Sequence, residues 1–104
     1  MAQRYKLFIG GEFIDSTTGE IFDDINPATL ENLATIQIAG SKDVDRAVEA
    51  AEAGFKVWSR IPAPKRAEVL FRAARILQER KEELAVLMTE EMGKVLPETR
   101  GDVQ

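Results

Sequence analysis

Residues 64–93 read PKRAEVLFRAARILQERKEELAVLMTEEMG, and their spacing governs how the remainder of the chain is read. Leu70, Ala73, Ala74, Ile76, Leu77, Leu84, Leu87 and Met88 recur at three- and four-residue steps. Arg72, Arg75, Glu79, Lys81, Glu82 and Glu83 occupy the other faces, which is the pattern of an amphipathic helix. Pro64 suits a first helical turn, where its missing N–H is no loss. Gly93 suits the position just past the last turn, and Pro97 forbids easy continuation. The spacing therefore predicts one long helix over 64–93. A rod of that length needs a broad apolar surface to lie on, and the remaining residues can supply only part of it.

Working outward, residues 41–58 give a second helix. Val44, Ala47, Val48, Ala51, Phe55 and Trp58 fall on one stripe, Ser41 is a suitable N-cap, and Asp43 and Asp45 favour the positive end of the helix. Phe55 and Trp58 read as core residues. Gly54 fits either a tolerated weak point or a close helix–helix approach. Ile61-Pro62-Ala63-Pro64 links the two helices. Lys65 and Arg66 stand at the wrong end of the long helix for its dipole and read as solvated. Pro97-Glu98-Thr99 starts a further helix.

Upstream lie short strands. Lys6–Ile9 and Glu12–Ile14 flank Gly10-Gly11, a pair that permits the positive φ angles of a two-residue hairpin turn. Asp15-Ser16-Thr17-Thr18-Gly19 is a polar loop, Ile21–Ile25 a strand, and Asn26-Pro27-Ala28-Thr29 a sharp turn. Residues 33–39 alternate, with Ala34, Ile36 and Ile38 on one face and Leu33, Thr35 and Gln37 on the other. Three or four short antiparallel strands cannot bury an apolar face by themselves. The class is α/β, with strands in residues 1–40 and helices in 41–104.

The 104 residues are 44% apolar and 31% charged, the balance of a globular chain. Residues 1–40 hold two basic and six acidic residues, while residues 41–104 hold twelve of each, so the net charge of −4 lies in the first part. No basic face points to nucleic acid or to an anionic membrane. No apolar run is long enough for a bilayer span, and the opening MAQRYKLFIGG is too short in charge and apolar core for a secretory leader, so a cytoplasmic location is expected. The chain has no Cys and no His. Thiol nucleophiles, imidazole bases and zinc sites built on sulfur or imidazole are therefore excluded within it.

Other chemical motifs fare no better. Gly93-Lys94 lacks the phosphate-loop pattern, since Met88 stands where the first Gly belongs and Val95 where Ser or Thr belongs. Gly10-Gly11 lacks the third glycine of a dinucleotide fingerprint. Asp23-Asp24 and Glu90-Glu91 are adjacent pairs whose side chains diverge, and solvation accounts for them. Leu70, Leu77 and Leu84 keep a heptad step over too few layers for a coiled coil. The residues by themselves describe an α/β piece with no catalytic residue and no cofactor-binding residue.

Leu7-Phe8-Ile9-Gly10-Gly11-Glu12-Phe13 followed by Ile25-Asn26-Pro27-Ala28-Thr29 resembles the opening of the NAD(P)-dependent aldehyde dehydrogenases. Asp43-Val44-Asp45-Arg46-Ala47-Val48, then Phe55, Trp58, Pro64, Arg66 and Leu70, and finally Glu82-Glu83-Leu84 and Glu91-Met92-Gly93-Lys94 continue the resemblance in order. It implies the N-terminal part of a Rossmann-like cofactor domain: short N-terminal antiparallel strands, two long amphipathic helices and the start of a third. It implies a parent enzyme that oxidises an aldehyde to a carboxylic acid with NAD or NADP through a Cys thioester, as a homodimer or homotetramer. The catalytic and cofactor residues would lie beyond Gln104, leaving this segment inactive alone, with the remainder of the parent enzyme as its partner. Glu-Met-Gly-Lys resembles the semialdehyde-oxidising branches. Gly10, Met92 and Val95 depart from the family's usual Asn, Thr and Pro. The resemblance also implies a monovalent cation held by the backbone carbonyls of Asp24, Ile25 and Asp102. The reading from another class is a non-enzymatic helical interaction or oligomerisation module using the Leu70/Leu77/Leu84 stripe.

Overall fold

A computed structural model describes residues 3–104, so Met1 and Ala2 of the opening run lie outside the described residues. The strands are β1 (Gln3–Tyr5), β2 (Leu7–Ile9), β3 (Glu12–Ile14), β4 (Ile21–Ile25) and β5 (Asn32–Gln37). The helices are α1 (Ser41–Trp58), α2 (Ala63–Glu79), α3 (Lys81–Met92) and α4 (Leu96–Asp102). They fall into two units, one made of residues up to 24 with 34–61, the other of residues 25–33 with 62–104.

In the first unit, β2 and β3 pair antiparallel with Leu7 opposite Ile14 and Phe8 opposite Phe13. Gly10 and Gly11 have φ of 63° and 83°, the left-handed pair that a two-residue hairpin turn requires. The predicted hairpin is therefore present. A second sheet has the order β1-β5-β4. The Ile38 N–H donates to the Glu20 carbonyl at 2.9 Å, the bond that closes an antiparallel β4–β5 pair. β1, by contrast, runs parallel to β5, with Gln3 opposite Ala34 and Tyr5 opposite Ile36. β1 lies outside the strands read from the sequence, and its parallel pairing adds to the antiparallel set expected there. Parallel neighbours need a long crossover, and the intervening hairpin and β4 provide it, a relation invisible to local alternation.

Gly40, not Ser41, caps α1. A Cβ on Gly40 would lie 2.8 Å from the Thr18 methyl, so the polar loop leaves no room for a side chain there. The α1 stripe stands open: Val44, Val48 and Phe55 are exposed and Trp58 is 37% exposed. Phe55 and Trp58 are thus not core residues within this unit. Gly54 meets open space, which favours the tolerated weak point over a close helix approach within it.

In the second unit, the predicted rod over 64–93 is two helices. Arg80, at φ −98° and ψ 12°, leaves helical geometry and both ends α2 and begins α3. Neither Gly nor Pro marks the break. Arg80 instead reaches forward to Glu83, its Nε donating at 3.0 Å, and Glu82 and Glu83 place two carboxylates on the positive end of the new helix. Pro64 does sit in the first turn of α2, and Gly93 ends α3 with φ 77°. Lys65 is exposed and meets Glu68 at the surface, as the solvated reading expects, while Arg66 is half-buried with its Nε unpartnered and departs from it.

α3 and α4 are joined by polar contacts. Thr99, fully buried, has its Oγ1 2.9 Å from Thr89 Oγ1 and donates to the Leu96 carbonyl at 3.0 Å. Arg100 forks onto Glu82 with bonds of 2.9 and 2.7 Å, and Lys94 pairs with Asp102. Among the described residues, the buried apolar ones are Ala34 in the first unit and Ala85 in the second. Among the described residues, neither unit encloses a large aliphatic side chain. Leu70 is 64% exposed and Leu77 50%, so the stripes that organise the helices lie open. No described helix is long and apolar enough to cross a membrane.

Candidate functional site

The Asn26-Pro27 turn is built by one side chain. Asn26 is buried, and its Oδ1 accepts the N–H groups of Ala28 at 2.9 Å and Thr29 at 3.3 Å. This is the Asx arrangement, in which a short amide replaces the backbone acceptor of a turn. The Asn26 N–H donates to the Glu31 carbonyl at 2.9 Å, and the Leu30 N–H returns to the Asn26 carbonyl at 2.8 Å. Leu30 accepts the left-handed φ of 64° that this closure demands. Pro27 lies against Gly93, 3.3 Å from where a Cβ would stand. The turn therefore lies against the end of α3.

Of the three positions expected to offer carbonyls, Ile25 and Asp102 belong to the second unit and Asp24 to the first. Ile25 has only a carbonyl to give. Asp102 is the last residue of α4, where carbonyls lack intrahelical partners and the helix dipole is negative. Its carboxylate pairs with Lys94, whose own pKa that bond raises. Among the described residues, no group of three or more His, Cys, Asp or Glu side chains could hold a metal ion. The donor set available is carbonyl oxygen, the chemistry of a hard cation. Gly10-Gly11 closes a hairpin and does not open a helix, so the glycine doublet does not fit a dinucleotide phosphate.

The polar centre that the sequence reading missed is Asp43. Only 2% exposed, it accepts the Gly40 N–H at 2.8 Å, the Thr17 N–H at 3.1 Å, the Thr17 hydroxyl at 2.9 Å and the Ser16 hydroxyl at 3.3 Å. The Gly40 N–H, together with these other donors, holds its pKa below the ordinary carboxylate value. Thr18 donates to the Ile38 carbonyl, and the Ser16 hydroxyl has that carbonyl as its alternative acceptor to Asp43. Position in the helix alone makes Asp43 a dipole acid; the run Ser16-Thr17-Thr18 is the signal that a carboxylate must gather those donors. Asp15, held low mainly by Gln37 and then by Lys6, steadies the same loop from outside. These groups position backbone.

Comparison with known proteins supplies what this geometry lacks. Residues 13–104 match the sequence model of the Aldehyde dehydrogenase family. A 3,6-anhydro-L-galactose dehydrogenase superposes with TM-score 0.94 at 37% identity, over 97% of this chain and 21% of that one. HpcC from Thermus thermophilus gives 0.92 at 39% identity, over 97% and 20%. An NAD-dependent aldehyde dehydrogenase from Sinorhizobium meliloti gives 0.91 at 30% identity, over 99% and 21%. The chain spans about a fifth of the length of these structures. Because the match runs through both the strands and the helices, the chain belongs to the aldehyde dehydrogenase family.

Proposed function

We propose that this chain is the N-terminal part of the NAD(P)-binding domain of an enzyme that oxidises an aldehyde to a carboxylic acid, with NAD or NADP taking up the hydride. The family match across residues 13–104 carries this reading. The open stripes of α1 and α2 support it, because helices with such faces are stable when a further apolar surface covers them. The segment's role is structural: its strands and helices are surfaces for the cofactor domain, and the thiol and carboxylate of the chemistry come from elsewhere in the parent enzyme. Glu91-Met92-Gly93-Lys94 favours a semialdehyde as substrate.

A test compares the purified 104-residue chain with the parent polypeptide. We expect aldehyde-dependent NAD(P)H formation from the parent and none from the segment. Turnover by the segment, or none by the parent across simple aldehydes and semialdehydes with both cofactors, would overturn the reading. The second outcome favours a non-enzymatic interaction module. The same reading assigns the carbonyls of Asp24, Ile25 and Asp102 to a monovalent cation. The Asx turn holds the first stretch of this backbone, and the end of α4 offers a carbonyl at its negative pole. Crystals of the parent soaked in rubidium should show anomalous density beside these oxygens; density only elsewhere would refute the assignment.

A further inference from the structure

We draw no further inference here: the strongest candidate, the apolar groove of the second unit lined by Leu77, Leu84, Leu87, Met88 and Val103, carries nothing because nothing in the structure shows what covers it.

Discussion

The Thr89–Thr99 contact yields a prediction whose magnitude follows from which atoms lose partners. Thr99 is fully buried and donates to the Leu96 carbonyl, so its oxygen accepts the Thr89 hydroxyl 2.9 Å away. Thr99→Val keeps the shape but strands the half-buried Thr89 donor, at a cost of about 1–3 kcal/mol. Thr89→Val strands less, because Thr99 still donates to Leu96; a loss of about 0.5–1.5 kcal/mol is expected. Replacing both removes the donor and the acceptor of their mutual bond together and leaves only the Thr99–Leu96 bond lost, so Thr89→Val/Thr99→Val should be more stable than Thr99→Val alone. Urea unfolding of the parent polypeptide bearing each of the four sequences, followed by helical circular dichroism, completes the cycle. A double variant as unstable as the two single losses added together would refute the hydrogen-bond account and leave shape as what matters at this contact.

Two further outcomes follow from other parts of the structure. Gly93→Ala forces a side chain into a left-handed residue at φ 77° and brings its Cβ to 3.3 Å from Pro27; a loss of about 1–2 kcal/mol from the left-handed backbone alone should appear as a lower urea midpoint. Asp43 has a lowered folded-state pKa, so its contribution is complete above the ordinary value of 3.8 and is lost as pH falls through the folded value. The stability gap between wild type and Asp43→Asn should therefore be full near neutrality and narrow only as pH falls below 3.8 in urea titrations. A gap independent of pH would show that the carboxylate charge has no part in holding the Ser16–Thr17 loop.

The elements that could be read from sequence are those whose cause is local. Gly10-Gly11 set a hairpin turn because few other residues tolerate two consecutive positive φ angles, and Gly93 with Pro97 punctuated the end of α3 for the same kind of reason. The break at Arg80 has no such mark. Leu70, Leu77 and Leu84 keep their heptad step across it, so local spacing shows no interruption. Its only trace is a cation followed by carboxylates at the start of a helix, Arg80 before Glu82-Glu83, which also reads as an ordinary solvated face. The parallel β1–β5 pair was hidden for a different reason. Register between strands about thirty residues apart is set by the path of the chain between them, and alternation within either strand is blind to it.

The candidate site marks the limit more sharply. Asp43 could have been suspected, because hydroxyl-rich residues 16–18 need acceptors and a carboxylate at the start of α1 can supply them. A site made of carbonyls offers no such handle: every residue has one, and Ile25 would serve no better or worse than any other aliphatic residue. What selects the position is backbone placement, and that is written in neighbours, namely the Asn26 amide that closes the turn and the glycine that lets Pro27 approach the end of α3. Substitutions at Ile25 that leave the backbone alone should therefore be tolerated by a cation site, whereas loss of the Asn26 side chain should not. A carbonyl site is read from the residues that hold the chain still, and only secondarily from the residues that own the oxygens.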